Sequence, residues 1–487
     1  SSFSFEKDKH WHCPWVSSVI DDVAPVFRDI LENNYLSSSV HLLEDTSESR
    51  SLWWKWRKQL DKRLAEFLRN LEDSWLGPWR CLLLGELSEN ELLDSLVKKL
   101  HDHFRCKAGA DVHESLLKVI LGGAKYACEK ETCISHMVIN KGCHLHGGGH
   151  GNSKVLYKTS TEVESLCDSI YKSILDEAQE MEETESIYRR PVILVLDLEV
   201  QMLPWENLPV LRNQQVYRMP SVSSIRATLI KCCQYQQQVQ MGRSAMKQGV
   251  PSPSIPSIDP LDSYYLLNPS GDLRNTQSEF ENWFRDQDFE GKSGTAPAVE
   301  ELAEALKSHD LFIYFGHGSG AQYIPDHEVK KLESCAATLL MGCSSGSLYL
   351  HGCYAPRGAP LCYLFAGSPV IIANLWEVTD KDIDRFGKSM LDAILRERSN
   401  VSYRCDQCDT LADKLKSLKI TDRKRTQRVK TKEDACNNNI SSNHCNHRPK
   451  IGSFMGQARA ACTLPFLIGA APVCYGVPTG IISKKDL

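Results

Sequence analysis

Two apolar runs in this chain of 487 residues stop abruptly at small-residue turns, and each turn carries a reactive side chain. In LFIYFGHGSG, His317 stands between Gly316 and Gly318; in ATLLMGCSSG, Cys343 follows Gly342. A thiol becomes a useful nucleophile at neutral pH when a neighbouring base takes its proton or a positive group favours the thiolate, and an imidazole supplies either. The same imidazole can protonate a leaving amine, a task suited to its near-neutral pKa. Glycines beside both side chains let a substrate backbone approach and leave main-chain N–H groups free to face a developing oxyanion. Any single member of the 19 cysteines or 16 histidines is structural by default. What singles out His317 and Cys343 is their shared setting. Ligands of an open α/β sheet bind beyond the carboxyl ends of its strands, where these two side chains would meet. The chemistry open to such a pair is peptide-bond hydrolysis through a thioacyl-enzyme.

Those turns need a sheet to hold them. Leu311 to Phe315, Ala337 to Met341 and Pro369 to Ala373 are short apolar runs, and Val299, Leu302 and Leu306 mark a helix ahead of the first. Strand alternating with helix predicts a mostly parallel sheet flanked by helices. PVILVLDLE, from Pro191 to Glu199, reads as a strand buried on both faces. It follows the acidic segment DEAQEMEETE, and this change of composition places a domain boundary near residue 188. PSPSIPSIDP, from Pro251 to Pro260, is expected to be an irregular loop.

Residues 1–188 read as mainly helical with some sheet. Trp53, Trp56, Leu60, Leu64, Phe67 and Leu71 recur every three or four residues and line one face of a helix. Cys81 to Leu84 is expected to be a strand, and Ser88 with Glu91 forms a capping-box pattern before a helix carrying Leu92, Leu93, Leu96 and Leu100. A further helix carries Val163, Leu166, Ile170 and Ile174.

The bulk numbers describe a soluble globular chain, with a hydrophobic share of 42% and a charged share of 24%. A net charge of -5 gives no global pull toward nucleic acid or an anionic membrane. The cysteines are odd in number and irregularly spaced in a long chain, which points to reduced thiols, and the first residues lack the pattern of a signal peptide. The expected setting is cytosolic or nuclear. A start on Ser rather than Met suggests a fragment or processed chain. Pro465 to Ile482 approaches membrane-spanning length, but its prolines and glycines argue for buried strand and loop.

Residues 399–450 break the strand-helix pattern with a basic run, Arg423 to Lys432, and the polar tract CNNNISSNHCNH, as a surface insertion would. Cys405, Cys408, Cys436, His444, Cys445 and His447 form one cluster of metal-ligating residue types, and Cys128, Cys133, Cys143, His144, His146 and His150 form another. Neither has the two compact ligand pairs usual for structural zinc, so no metal and no cofactor are expected.

The phrases FIYFGHGSGAQY, LLMGCSSGSL, AGSPVIIANLWEVTDKDIDRF and LIGAAPVCYGVP, in this order, resemble the protease region of the separase family, and VLDLEVQMLPWENLPV matches its opening strand and turn. The resemblance is strong over 190–398 and 451–480 and poor within 399–450. It implies a caspase-like α/β domain at 189–487, preceded at 1–188 by a helical and mixed α+β substrate-binding or pseudo-protease domain. His317 is similar to the family's catalytic histidine and Cys343 to its nucleophile, with the amides of Gly318 and Cys343 as oxyanion donors. The family cleaves after Arg in substrates with an acidic residue three positions earlier. A buried guanidinium needs a carboxylate and favours an aromatic wall. In NLWEVTDKDID the resemblance points first to Asp384 and next to Asp380 as that carboxylate, with Glu377 also at hand and Trp376 as the wall. These acids could instead cap the helix that starts near Thr379. The implied substrate is the kleisin subunit of cohesin, and the implied inhibitor is securin, bound as a pseudosubstrate. The implied location is the cytoplasm and nucleus, with chromosomes, spindle or centrosome in mitosis. Another protease that shares the PWE turn and the paired GHG and GC strands is one alternative; a non-catalytic scaffold of the same fold is a second.

Overall fold

Continuous apolar runs that end at glycine turns form the middle of an eight-stranded sheet in the computed structural model. It describes residues 23–39, 46–76, 80, 82–87, 91–108, 111–123, 172, 174, 176, 189–197, 200–241, 255–349, 356–399 and 449–482. The strands are β1 (Val192–Leu194), β2 (Val216–Arg218), β3 (Ser257–Ile258), β4 (Ser263–Leu267), β5 (Glu290–Ser293), β6 (Leu311–Phe315), β7 (Ala337–Leu340), β8 (Val370–Asn374), β9 (Pro472–Gly476) and β10 (Gly480–Ile481). Their order in the large sheet is β1-β2-β9-β8-β7-β6-β4-β5, and β3 pairs with β10 in a separate ribbon. Neighbouring strands are parallel except β8 and β9. Every residue of β6, β7, β8 and β9 is buried, as expected of strands covered on both faces.

The helices are α1 (Ala24–Ser39), α2 (Ser47–Asn70), α3 (Glu91–Ala108), α4 (Glu114–Gly123), α5 (Val222–Met241), α6 (Arg274–Asp286), α7 (Val299–Ser308), α8 (Asp326–Val329), α9 (Ala359–Ala366), α10 (Asp380–Ser399) and α11 (Met455–Ala461). The periodic face of α2 is confirmed: Thr46 caps its start by accepting from the Ser49 amide, and Leu60, Leu64 and Phe67 are buried. With Phe27 and Ile30 of α1, these residues join the same core as the sheet, although they lie on the other side of the residue-188 boundary in the chain. α3 and α4 pack on each other, and their buried Leu96, Leu100 and Leu117 stand apart from that core.

Several expectations need correction. Among the described residues β1 is an edge strand of three residues, with β2 its sole sheet neighbour and only Leu194 buried; the apolar run predicted burial on both faces. Leu82 and Leu83 form a short helical turn and Leu84 a bend, so the strand expected over Cys81 to Leu84 is absent at its described residues. Ser257 and Ile258 are extended and pair with β10, which gives the proline-rich loop a regular piece where its flanks meet a partner. Pro465–Ile482 contributes β9 and β10 and is largely buried. Among the described residues no helix is long and apolar enough to cross a membrane. The predicted helix over 163–174 falls mostly outside the described residues, as does the 399–450 insertion apart from its ends.

Candidate active site

Because β4, β6, β7 and β8 are consecutive parallel neighbours, the turns after them converge on one edge of the sheet. They bring together Asp272, His317, Cys343 and the segment from Glu377 to Asp380. The two glycine turns touch. A Cβ on Gly342 would lie 2.0 Å from the Gly318 carbonyl oxygen and 2.5 Å from that of Gly316. Only glycine permits this approach.

The motif around Cys343 is a set of hydrogen-bonded brackets. Ser345 Oγ donates to the Leu340 carbonyl and accepts from the Asn374 amide, while Asn374 Nδ2 donates to the Gly342 carbonyl. The Gly346 amide donates to the Asn374 carbonyl at 2.7 Å. From β9, Tyr475 donates its hydroxyl to the Gly346 carbonyl at 2.8 Å. Ser344 has φ +52°, a left-handed conformation costing on the order of 1–2 kcal/mol for a residue with a Cβ. Its amide bonds to the Trp376 carbonyl and its hydroxyl donates to Glu377 Oε1 at 2.9 Å. These bonds hold the turn that presents Cys343.

His317 is about half exposed, and its Nε2 lies 2.8 Å from Asp272 Oδ2. Ser270 donates to the other carboxylate oxygen at 2.6 Å. Together the Ser270 hydroxyl and His317 hold Asp272 below the usual carboxylate range. The His317 carbonyl accepts from the Tyr314 hydroxyl, which fixes the turn from below.

The Cys343 thiol donates to the Val378 carbonyl at 3.3 Å, and its sulfur accepts from the Val378 amide at 3.4 Å. Burial pushes the thiol above its ordinary range, the Val378 amide opposes this, and Glu377 and Asp380 push it further up. Among the described residues, no hydrogen bond joins Cys343 to His317. The pair predicted from sequence shares one edge, with each partner held by another group.

The other predicted site residues separate by burial. Asp380 is exposed at the start of α10; loss of hydration raises its carboxyl, and it feels His317 and Asp272. Asp384 is 8% exposed, accepts from Thr276 Oγ1 at 2.8 Å, and burial pushes it up to about 7. Glu377 is partly buried beside Ser344. Trp376 is fully buried, donates from its indole to the Leu467 carbonyl at 2.8 Å and meets the Phe27 ring edge-on. It offers no face to a ligand, because its side chain fills the seam between α1 and the sheet. Gly318 has φ +60° and open space where a Cβ would stand. Asp272 is not among the residues expected from sequence; its signal there is NPSGD closing the apolar strand SYYLL, the same strand-to-turn layout as the other two. Among the described residues no group of His, Cys, Asp and Glu could hold a metal ion, and both Cys/His clusters lie outside them.

A family profile described as "Separin, protease domain" matches residues 3–383. The chain is 30% identical over 455 residues to separin of Emericella nidulans, covering 90% of this chain and 19% of that protein. It is 29% identical to separin of Schizosaccharomyces pombe, covering 94% and 22%, and 28% identical to that of Mus musculus, covering 96% and 18%. The chain thus spans about a fifth of the length of these relatives. Its fold is that of a chain in the 2.6 Å crystal structure of the Saccharomyces cerevisiae separase–securin complex, with TM-score 0.62 and 21% identity over 95% of this chain and 28% of that one. The architecture is therefore a caspase-like mixed α/β domain preceded by helical regions. By its profile match and its relatives, this chain belongs to the separin family and carries that family's protease domain.

Proposed function

We propose that the chain is an Arg-directed cysteine endopeptidase that cleaves the kleisin subunit of cohesin and so releases sister chromatids. The observation that carries this reading is the contact of the His317 and Cys343 turns at one sheet edge, with carboxylates around them. Catalytic hydrogen bonds are often loose in a free enzyme and tighten when substrate is bound. On binding, the Cys343 proton leaves the Val378 carbonyl and passes to His317, while the sulfur keeps the Val378 amide. With Nε2 engaged by Asp272, Nδ1 is the ring nitrogen left for this transfer. The thiolate attacks the scissile carbonyl, His317 protonates the leaving amine, and water releases the acyl group.

The amides of Gly318 and Cys343 take the oxyanion. Among the described residues neither donates to a backbone carbonyl, which leaves both available. Asp380 is the favoured acceptor for the substrate guanidinium, being exposed and within electrostatic reach of His317, with Asp384 and Glu377 behind it. Securin is the proposed inhibitor, occupying the same cleft as a pseudosubstrate in the cytoplasm and nucleus. A raised thiol with no bond to His317 favours a second reading, a scaffold that binds partners without catalysis.

The test is cleavage of a kleisin-derived peptide bearing an acidic residue three positions before Arg. Cutting after that Arg by wild type, its loss in Cys343→Ser, and its loss when Arg is replaced by Ala are expected. Equal cutting of the Arg and Ala peptides would remove the Arg-directed reading, and no cutting by folded, inhibitor-free protein would favour the scaffold.

A further inference from the structure

We infer that the amino-terminal helical hairpin is a working part of the nucleophile's setting: Asn34 is a positioning residue that, backed by Arg57, aims one peptide group at the Cys343 sulfur. This rests on Cys343 being the nucleophile.

Asn34 lies on α1, fully buried, and its Nδ2 donates to the Glu377 carbonyl at 3.0 Å across 343 positions of sequence. The Val378 N–H that faces Cys343 Sγ belongs to the same peptide unit as that carbonyl. The chain described has no cis peptide, so the carbonyl oxygen and the amide hydrogen point to opposite sides of a planar group. Fixing the oxygen on Asn34 therefore fixes the hydrogen on sulfur.

Arg57 of α2 fixes Asn34 in turn. Its Nη1 donates to Asn34 Oδ1 at 2.7 Å and to Ser37 Oγ at 2.8 Å. Arg57 has no exposed surface, and its Nε and second terminal nitrogen find no partner among the described residues. A guanidinium has only donors, so the amide oxygen of Asn34 must face it and the amide nitrogen must face Glu377. The amide cannot flip. Burial lowers Arg57 to about 10, with Asp382 and Asp61 opposing, so it remains a cation at neutral pH. A cation at the end of a chain of hydrogen bonds polarises each successive donor, and the last donor here meets the sulfur. The relay favours the thiolate over the thiol. It also gives a buried cation with neutral partners, costly for folding, a role in the site.

Two further contacts hold the hairpin to the same segment. Asp61 Oδ1 accepts from the Phe466 and Leu467 amides, and the Leu467 carbonyl accepts from Trp376. Movement of α1 and α2 against the sheet would thus be felt at Cys343.

The test reads the thiol directly, by iodoacetamide alkylation of Cys343 against pH in the intact protein, quantified by mass spectrometry of its peptide. Asn34→Ala and Arg57→Met should each move the midpoint up by about half to one unit and slow alkylation at pH 7 by about three- to tenfold. Arg57→Met removes a poorly paired buried cation, so it is expected to fold even where Asn34→Ala does not. Leu100→Ala, which loosens α3 apart from the core shared by the hairpin and the sheet, should leave the midpoint in place. An unmoved midpoint in folded Arg57→Met, or an equal shift in Leu100→Ala, would overturn the inference. Peptide cleavage is measured separately: a shifted midpoint in a protein that cleaves nothing would refute the protease reading and leave the relay standing.

Discussion

Glu206 and Arg218 form a buried, two-pronged ion pair, with Nε to Oε1 at 2.6 Å and a terminal nitrogen to Oε2 at 2.7 Å. Arg218 also donates to the carbonyls of Gln201 and Leu203, so the pair closes the PWE turn onto β2. Neighbouring Tyr475 interacts with Arg218 and reaches the Gly346 carbonyl of the Cys343 turn. Breaking a buried pair leaves an uncompensated charge. Glu206→Gln is therefore expected to cost about 3–5 kcal/mol in denaturant unfolding, against about 1 kcal/mol for Tyr475→Phe. Comparable small losses for both would show that the pair is not what closes the turn.

The contact between the two glycine turns separates two substitutions that look alike in sequence. Gly342→Ala drives a Cβ into the Gly318 carbonyl, so the turns must part; a loss of peptidase activity of about a hundredfold or more is expected. Gly318→Ala meets open space and pays only for its positive φ, about 1–2 kcal/mol of stability. Activity assays paired with thermal unfolding would check this contrast.

Asp384 makes stability depend on pH. Burial lifts its folded value to about 7, so the native state holds this proton more tightly than the unfolded chain does. For an acid raised in this way, the contribution is fully present below about pH 4 and is lost as pH rises through about 7. Asp384→Asn, neutral throughout, should gain on wild type by about 2 kcal/mol more at pH 8 than at pH 5. A constant difference across that range would place the carboxylate in a better hydrated setting.

Glu377 should act in opposite directions on the thiol and on substrate. Its charge raises Cys343, so Glu377→Gln, which keeps an acceptor for Ser344, should speed alkylation of Cys343 at pH 7 about two- to fivefold. The same change should weaken cleavage of an Arg peptide if Glu377 helps receive the guanidinium. Unchanged alkylation would remove Glu377 from the thiol's electrostatics.

The centre of the sheet was legible because β6, β7 and β8 are covered on both faces and advertise it as unbroken apolar runs ending at glycine. β1 has a similar composition but lies at an edge, and strand order is not written in any one strand. The placement of His317 and Cys343 at one sheet edge was legible for the same local reason. Asp272 was harder, because its meeting with His317 depends on β4 lying beside β6. Trp376 is buried and not the expected wall, since a string of acids around a tryptophan does not tell which side chains turn inward. Asn34 could not be found at all: its partner is a backbone carbonyl hundreds of residues away, and nothing in an asparagine marks such a contact.

The central claim is that Cys343 is a nucleophile served by His317. It is tested most directly by labelling with an Arg peptide that carries a thiol-reactive warhead, applied to wild type, Cys343→Ser and His317→Ala. Labelling of wild type at Cys343, none of Cys343→Ser and strongly slowed labelling of His317→Ala are expected. Equal labelling of wild type and Cys343→Ser, or no labelling of folded and inhibitor-free wild type, would contradict it.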